Sequence, residues 1–358
     1  MYRKNNDLDI QTFSEKMLEW SKKNNRSLPW KDFRDPYSIW ISEIILQQTR
    51  VNQGLPYFLS FIERFPNVES LAAASEDEVL RAWEGLGYYS RARNLRKAAI
   101  QIMDGYKGVF PKTYKDLLSL KGVGPYTAAA IASFAYEFPY GVVDGNVKRV
   151  VARIFGYTDD IDASSTVKEI QTLVHEAVSY VLPSAFNQAI MDFGAMHCLP
   201  RNPGCGDCVF QDHCFAFENN MVSTLPFKAK KIKRQSKSIH MAVYTDGTEW
   251  VITQENSVSF WKGLYTFPML SAEQQLNIES YELLDTMEWN LTHRKLTLYF
   301  YKIDKNRLFC EENQGWTIVK SENLRKFALP RPLRLFLNKN SCNLGLKENN
   351  DQQGNIDR

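Results

Sequence analysis

The middle of the chain reads Cys198-Leu-Pro-Arg-Asn-Pro-Gly-Cys205-Gly-Asp-Cys208-Val-Phe-Gln-Asp-His-Cys214. One Cys-x2-Cys pair is flanked by an upstream cysteine across six intervening residues and by a downstream cysteine across five. Proline and glycine between them allow the four thiols to converge on one centre. An all-sulfur site indicates zinc or an iron–sulfur cluster, although structural zinc sites usually join two short cysteine knuckles and this stretch has one. Disulfides and unlinked thiols are the alternatives.

The composition indicates a folded chain with more than one domain. At 358 residues the chain is long for one domain, and its 44% hydrophobic content is enough for packed cores. The net charge is only +3, so binding to nucleic acid would have to come from local basic clusters.

The sequence shows no targeting or membrane segment. The N-terminus, Met1 to Asp7, is charged and lacks the apolar region of a signal peptide. The most apolar stretch, Ala128 to Ala135, is far too short to span a bilayer. We therefore expect a cytoplasmic protein, at the nucleoid in a bacterium, with no membrane partner. In that compartment clustered cysteines favour a metal over disulfides.

Residues 10 to 220 are predicted to be mostly helical. Apolar residues recur at helical spacing in seven segments, which are Ile39–Gln48, Glu76–Trp83, Ser90–Met103, Tyr126–Tyr136, Val147–Phe155, Thr166–Val181 and Ser184–Met196. Short turns rich in glycine, proline and aspartate separate these segments.

The sequence pattern changes from helix-like to strand-like after a basic stretch at residues 228–237. Six Lys and Arg residues lie between 228 and 237, which indicates a linker. Beyond it, His240–Tyr244, Trp250–Gln254 and Leu296–Tyr301 have the composition of strands, so the second domain is predicted to be α+β. We predict a helical domain over 1–225, a linker over 226–236, an α+β domain over 237–342 and a disordered tail over 343–358.

A glycine-rich turn precedes an alanine-rich helix in Leu120-Lys-Gly-Val-Gly-Pro-Tyr-Thr127. Gly122 and Gly124 would let the backbone approach a ligand, and the free N–H groups at the start of the following helix would bind an anion. The pattern predicts a helix–hairpin–helix that binds a DNA phosphate. The alternative is an ordinary connection between two helices.

Two carboxylates are candidates for chemistry. Asp144 precedes a helix in Val142-Val-Asp-Gly-Asn-Val-Lys-Arg149, where it can cap the helix or face a cleft and meet positive charge on a sugar. Glu43 flanks the apolar face of the helix that contains Trp40. A solvated surface glutamate is one interpretation. In the other, Glu43 is partly buried, has a raised pKa and can donate a proton near neutral pH.

A second glycine turn presents two tyrosines in Trp83-Glu-Gly-Leu-Gly-Tyr-Tyr-Ser90. Paired aromatic residues at such a tip belong either to a core or to a wedge that enters DNA. The basic residues that follow favour DNA; they are Arg91, Arg93, Arg96 and Lys97.

Together these motifs resemble a known family. Residues 20 to 220 are similar to the helix–hairpin–helix DNA glycosylases with an iron–sulfur loop, the endonuclease III superfamily. Within it the chain resembles the MutY adenine DNA glycosylases. The matching motifs are Leu28-Pro-Trp30, Ser42-Glu-Ile-Ile-Leu-Gln-Gln-Thr49, Glu84-Gly-Leu-Gly-Tyr-Tyr-Ser90, Gly122-Val-Gly-Pro-Tyr126 and Asp144-Gly-Asn146. The resemblance implies a [4Fe-4S] cluster held by Cys198, Cys205, Cys208 and Cys214.

The resemblance also separates the branches of the superfamily. Lyase-competent relatives carry a lysine where this chain has Tyr126, so a monofunctional hydrolase is implied. They typically carry an apolar residue at the position of Glu43. The second domain is similar to the C-terminal, Nudix-like half of MutY proteins, and Gly263-Leu-Tyr-Thr-Phe-Pro268 matches it. No Nudix catalytic motif occurs between 240 and 342, so this domain is expected to recognise a base and not to hydrolyse nucleotides.

The implied reaction is removal of an undamaged adenine opposite 8-oxoguanine or guanine in double-stranded DNA, by a monomer. The adenine must leave the stack and enter a pocket. The resemblance implies that Glu43 is the general acid, that Asp144 stabilises the sugar cation, and that Tyr126 and Asn146 position Asp144 and water. Further substrate contacts are expected from Arg26, Leu28, Trp30, Gln188 and Met191 around the adenine, and from Gln48 and Tyr88 in the space that it leaves.

The opposing base is expected to meet Trp289-Asn-Leu-Thr-His293, which is predicted to be a loop or a hairpin tip. The resemblance implies that Thr292 and His293 contact 8-oxoguanine, while Leu291 stands where an aromatic residue is typical. A surface hairpin with an incidental histidine is the alternative. For the whole chain, the alternatives are a thymine-type or oxidised-pyrimidine glycosylase of the same fold and a non-catalytic iron–sulfur protein that binds DNA or senses redox state.

Overall fold

The computed structural model describes residues 7–24, 28, 33–229, 235–255, 258–291, 294–303 and 315–340. The contacts of the chain divide it into two compact units. The first unit is Met1–Ala73 with Asn94–Lys231, and the second unit is Ala74–Arg93 with Ile232–Arg358. The second unit therefore takes in a segment from within the predicted helical domain. The bounds proposed from the sequence, at 225, 236 and 342, stay a prediction.

The helical prediction for residues 10 to 220 is confirmed. The helices in this part of the chain are α1 (Ile10–Lys23), α2 (Pro36–Leu46), α3 (Val51–Arg64), α4 (Val68–Ala73), α5 (Glu76–Ala82), α6 (Ser90–Tyr106), α7 (Tyr114–Ser119), α8 (Pro125–Tyr136), α9 (Gly145–Phe155), α10 (Ser164–Val178), α11 (Pro183–Met196) and α12 (Phe215–Glu218). Each of the seven segments with helical spacing corresponds to one of them.

Local sequence sets where several of these helices begin. Asp9 accepts a hydrogen bond from the Thr12 backbone at 2.8 Å, and Asp35 accepts one from the Ser38 backbone at 2.9 Å. Such side chains replace the helical partners that the first N–H groups lack. The apolar faces of α1, α9, α10 and α11 then share one core, which includes Phe13, Val151, Ile170, Phe186 and Phe193.

The second unit contains the strands, as predicted. They are β1 (Gln235–Tyr244), β2 (Glu249–Thr253), β3 (Glu282–Asn290), β4 (Arg294–Ile303) and β5 (Trp316–Lys320), together with the helices α13 (Ala272–Leu276) and α14 (Arg331–Lys339). Strands β1, β4 and β3 form one sheet, in which β1 runs parallel to β4 and β3 runs antiparallel to it. Phe300 of β4 stacks on Phe336 of α14 with ring centroids 4.0 Å apart, so the helix covers one face of the sheet.

A hairpin joins β3 and β4. Asn290 pairs with Lys295, and the Leu291 N–H donates to the Arg294 carbonyl at 2.8 Å. The hairpin predicted for this stretch is therefore present, although Trp289 and Asn290 belong to strand β3 and not to the tip. Thr292 and His293 lie outside the described residues.

In the described part of the chain, no helix combines the length and the apolar character that crossing a bilayer requires.

Candidate active site

Glu43 is buried on α2, with 7% of its surface exposed. The Tyr126 hydroxyl donates a hydrogen bond to its Oε2 at 2.8 Å. Burial raises the pKa of Glu43 to about 7; the charge of Asp144 adds to this rise, and the hydrogen bond from Tyr126 opposes it. The interpretation of Glu43 as a solvated surface residue is therefore wrong, because the apolar packing of α2 encloses the carboxyl. A glutamic acid that keeps its proton near neutral pH can serve as a general acid.

Asp144 caps helix α9 and also takes part in this cluster. Its Oδ1 accepts the Val147 N–H at 2.7 Å, and its Oδ2 accepts the Asn146 side-chain amide at 3.0 Å. Burial raises the pKa of Asp144, whereas these hydrogen bonds oppose the rise. Capping and a place in the cluster are therefore compatible, and they use different oxygen atoms.

Tyr126 connects the helix–hairpin–helix to Glu43 through its hydroxyl group. It lies in the first turn of α8, directly after the glycine turn, and burial holds its pKa well above the usual range. The phenol is thus a neutral donor toward Glu43. In this way the chain brings all four residues predicted to be catalytic into one cluster.

The predicted helix–hairpin–helix is present as α7, the turn at 120–124 and α8. Gly122 has a φ of +79°, and a Cβ atom there would lie 2.6 Å from the Cβ of Asn94. Only glycine fits both constraints. Gly124 is the N-cap residue of α8, has no side-chain cap, and would meet no atom within 4 Å if it carried a Cβ. The backbone is therefore tightly packed at Gly122 and open at Gly124.

Arg149 supports the cluster through hydrogen bonds to Asn146 and to two backbone carbonyls. It was not predicted from the sequence. Its Nη2 donates to Asn146 Oδ1 at 2.9 Å and to the Gly194 carbonyl at 2.7 Å, and its Nε donates to the Cys198 carbonyl at 2.9 Å. The guanidinium thereby holds the amide that in turn donates to Asp144. In the sequence Arg149 follows a lysine on a helix, which indicates only a solvated basic face.

Gly194 permits the close approach of α11 to this end of α9. A Cβ atom at position 194 would lie 2.7 Å from the Cβ of Asn146. That separation is shorter than packed side chains adopt, so a larger residue would displace Asn146. A glycine inside a helical pattern was the available signal, because it usually has a packing reason.

Asn187 fixes the chain that leads to Asp144, and it too was missed. Its Oδ1 accepts the Val142 N–H at 2.9 Å, and its Nδ2 donates to Ser133 Oγ at 2.8 Å and to the Tyr140 carbonyl at 2.9 Å. The side chain is fully buried. All its polar groups are paired, so it ties α8 and α11 to the extended segment before α9.

The residues expected around the adenine are only partly described. Gln188 and Met191 are half-buried on α11, and Met191 packs against Ala129, Ala130 and Val142. Met191 is therefore partly a core residue, as the alternative interpretation proposed. Leu28 is half-buried, and Arg26 and Trp30 lie outside the described residues.

Gln48 and Tyr88 both have a backbone in the left-handed region, with positive φ angles. Their φ angles are +58° and +50°, which side-chain-bearing residues rarely adopt and which tend to persist at functional sites. Gln48 is exposed, and Tyr88 is 44% exposed. The interpretation as core aromatics holds for the neighbouring Tyr89, which is buried, and is wrong for Tyr88.

The four clustered cysteines line one cavity together with Arg153 and Phe193. All four are unlinked, which excludes the disulfide alternative within the structure. Arg153 donates to the Cys198 sulfur at 3.5 Å and to the Leu199 carbonyl at 2.6 Å. Among the described residues, no group of three or more His, Cys, Asp or Glu side chains is arranged to hold a metal ion.

Two family models match the chain. The HhH-GPD superfamily of base excision DNA repair proteins matches residues 41–176, and the NUDIX domain matches residues 240–339. A protein named adenine DNA glycosylase from Buchnera aphidicola subsp. Schizaphis graminum is 35% identical over 354 residues, which cover 92% of this chain and 99% of the relative. The mouse protein of that name is 37% identical over 230 residues, which cover 61% of this chain and 45% of the relative.

Solved structures match the helical part of the chain. A thermostable thymine-DNA glycosylase is 29% identical with a TM-score of 0.55, covering 59% of this chain and 97% of the other. A non-covalent endonuclease III–DNA complex is 24% identical with a TM-score of 0.52, covering 60% of this chain and 99% of the other, and this likeness shows the fold alone.

Proposed function

The chain belongs to the adenine DNA glycosylases of the HhH-GPD superfamily of base excision repair, and we propose that it removes adenine placed opposite 8-oxoguanine or guanine in double-stranded DNA. One observation carries the proposed chemistry. Glu43 is buried against the Tyr126 hydroxyl, and its pKa is raised to about 7 by burial and by the nearby Asp144. Two carboxylates in different environments are what acid catalysis of glycoside cleavage requires.

The adenine must leave the base stack before it can reach Glu43. Gly122 and Gly124 bind a phosphate of the adenine strand through the backbone of the hairpin, because the start of α8 presents N–H groups to an anion. Gln48 and Tyr88 fill the space that the adenine leaves in the duplex. Arg26, Leu28, Trp30, Gln188 and Met191 contact the extruded base. The protein acts as a monomer.

Bond cleavage begins with proton transfer. Glu43 protonates adenine at N7, the C1′–N9 bond breaks, and the electron pair leaves with the base. The sugar becomes an oxocarbenium ion, which the Asp144 carboxylate stabilises. Glu43, now ionised, takes a proton from the water that attacks C1′ and returns to its starting form. Arg149 and Asn146 hold Asp144, while Tyr126 holds Glu43.

The product is an abasic site in an intact strand. Lyase activity needs an amine that forms a Schiff base with the sugar, and the position that such an amine occupies in lyase-competent relatives is Tyr126 here. The phenol of Tyr126 has a pKa well above its usual range, so it stays neutral and bonded to Glu43. The likeness to a thymine-DNA glycosylase concerns the fold, whereas Glu43 supports action on adenine.

The cysteine cavity fits a [4Fe-4S] cluster. Cys198, Cys205, Cys208 and Cys214 line this cavity and would supply the four thiolate ligands that such a cluster requires. Burial raises the pKa of Cys208 to about 12, and a bound metal would replace the proton of this thiol. Arg153 lies beside Cys198, where its charge opposes that of the thiolates. When bound, the cluster would order this loop.

The second unit recognises the opposing base. Thr292 accepts a hydrogen bond from the N7–H that only the oxidised purine presents, and His293 adds a polar contact. In the sequence both residues lie between strands β3 and β4, which pair with each other.

A strand-scission assay tests the proposed function. A duplex with one adenine opposite 8-oxoguanine is incubated with the protein, and part of it is then treated with hot alkali. We expect scission only after alkali, and we expect Glu43→Gln to lower adenine release by roughly a thousandfold or more while DNA binding persists. Glu15→Gln, at an exposed position of α1, is the matched control. Near-normal release by Glu43→Gln would overturn the assignment of the acid.

A further inference from the structure

The segment Ala74–Arg93 groups with the second unit, although helices of the first unit precede and follow it. It contains α5 and the turn Glu84–Tyr89, whose exposed tip is Tyr88. Its contacts with the rest of the second unit determine where that tip is held.

Hydrogen bonds and ring contacts hold the turn together. The Trp83 indole donates to the Gly87 carbonyl at 3.1 Å, and Arg91 Nη2 donates to the carbonyls of Leu86 and Gly87 at 3.3 and 3.2 Å. The Arg91 guanidinium also lies over the rings of Trp83 and Tyr88, at 5.2 and 5.7 Å from their centroids. A force that holds one end of the turn therefore holds Tyr88 as well.

Arg334 of α14 forms a bidentate salt bridge with Glu84, the first residue of this turn. Its Nε lies 2.7 Å from Glu84 Oε1, and its Nη2 lies 3.0 Å from Glu84 Oε2. The same Nη2 donates to the Phe327 carbonyl at 2.9 Å, which fixes the guanidinium on the second unit. Both charged side chains are less than a quarter exposed, at 20% and 23%. A bidentate and partly shielded pair fixes geometry, unlike an exposed single contact.

Other contacts hold the rest of the segment to the same unit. The Gln254 amide donates to Asp77 at 3.4 Å, at the start of α5. The Arg93 guanidinium donates to the Lys262 carbonyl, at the start of α6. The Glu84–Arg334 pair lies between these two along the segment and is the closest of them in sequence to Tyr88.

We propose that the Glu84–Arg334 pair is a specificity determinant, which positions the Tyr88 turn on the unit that recognises the base opposite adenine. This inference rests on the proposed function. When the second unit binds 8-oxoguanine, the pair places Tyr88 where it opens the stack, so recognition of the lesion raises the excision rate. Without the pair, the turn loses the contact to the second unit that lies closest in sequence to Tyr88. Arg334 and Glu84 are thus positioning residues and do not contact the reacting atoms.

Charge reversal in the full-length protein tests this coupling. Single-turnover excision is measured for adenine opposite 8-oxoguanine and opposite guanine with Glu84→Arg, Arg334→Glu and the double swap. We expect each single reversal to narrow the preference for 8-oxoguanine by about fivefold or more, because the rate on the lesion duplex falls. The double variant, which restores the opposite charges, should regain most of the preference for 8-oxoguanine. The reversal of Glu282 and Lys302, an exposed pair 3.7 Å apart on β3 and β4, is the matched control.

A fluorescent base separates positioning from a purely structural role. With 2-aminopurine beside the 8-oxoguanine, wild-type protein should raise the fluorescence as Tyr88 opens the stack. The single reversals should lose this rise, and the swap should regain it. Melting temperatures are measured for all variants; if a reversal does not fold, Glu84→Gln and Arg334→Gln replace it.

The outcomes are distinguishable. Folded single variants with an unchanged preference and an unchanged fluorescence rise would overturn the inference and leave the proposed function intact. A swap that restores neither property would show that the pair itself is not the determinant. Failure of the wild-type protein to release adenine from either duplex would overturn the proposed function.

Discussion

At the scale of single residues, the active site depends on where protons are held. Glu43 is buried on α2 and accepts a hydrogen bond from Tyr126. Its pKa is raised to about 7, so a substantial fraction of its carboxyl groups keeps the proton near neutral pH. Asp144 accepts two hydrogen bonds that favour its ionised form. Under the proposed function, these different surroundings suit the two carboxyl groups to different roles.

Adenine release should fall as the pH rises through about 7, because Glu43 loses its proton in that range. The same shift affects folding. The folded protein binds this proton more tightly than the unfolded chain, so its contribution to stability is fully present below pH 4.5 and is lost as the pH rises through about 7. Single-turnover rates from pH 5 to 9 check the first statement. A profile without this alkaline decline would contradict the role of Glu43.

Gly194→Ala should lower excision by on the order of a hundredfold, because the new Cβ would displace Asn146 and with it Asp144. The added methyl group would lie 2.7 Å from the Cβ of Asn146. Gly105→Ala on α6 is the matched control, because nothing lies within 4 Å of a Cβ at that position. Rates and melting temperatures are compared for both variants. A folded Gly194→Ala protein with normal excision would show that Asn146 does not position Asp144.

At the scale of elements, helix α9 connects the candidate active site to the cysteine loop. Asp144 caps its first turn, and Arg149 and Arg153 extend from later turns to the cysteine loop. The helix also buries Val150 and Val151 in the core, so it is held by packing along its length. Helix α9 is thereby hydrogen-bonded to the start of the cysteine loop.

Cys208→Ser should remove the yellow-brown colour and the iron of the purified protein, about four atoms per chain, because one of the four ligands is lost. We expect this variant to lose specific DNA binding together with its iron. Cys310→Ser, outside the four clustered cysteines, is the matched control and should keep its iron. Metal analysis and absorbance measure both. Stoichiometric zinc in anaerobically purified wild-type protein would contradict the assignment.

At the scale of the whole molecule, excision and recognition are assigned to different parts of the chain. The HhH-GPD match at residues 41–176 contains Glu43 and Asp144, and the NUDIX match at residues 240–339 contains the β3–β4 hairpin. Within the second unit, the segment Ala74–Arg93 carries Tyr88. The division predicts that recognition can be weakened without damage to the chemistry.

Thr292→Ala combined with His293→Ala should narrow the preference for 8-oxoguanine over guanine, because the contact to the oxidised base is removed. Single-turnover excision of bound adenine should stay close to normal. Glu279→Ala, at an exposed position of the second unit, is the matched control. Excision is measured with each opposing base; an unchanged ratio would make this hairpin a surface feature without a role in recognition.

The sequence by itself determined the features that depend on short-range geometry. Helical spacing, strand texture, the hairpin glycines and the cysteine spacing each follow from a few neighbouring residues, and the resemblance to a family assigned roles to Glu43 and Asp144. The residues alone favoured a solvated Glu43, because one amphipathic helix does not show what covers its polar edge. Tertiary structure decided the burial of that residue.

Tertiary structure also decided the contacts between distant segments. Arg149 donates to a carbonyl 49 residues away, Asn187 accepts from an N–H 45 residues away, and Glu84 pairs with a residue 250 positions away. No local pattern encodes such partners, since an arginine, an asparagine or a glutamate on a helix is equally compatible with solvent. Packing of the apolar faces brings these side chains together, and their polar groups then pair with one another where water is largely excluded.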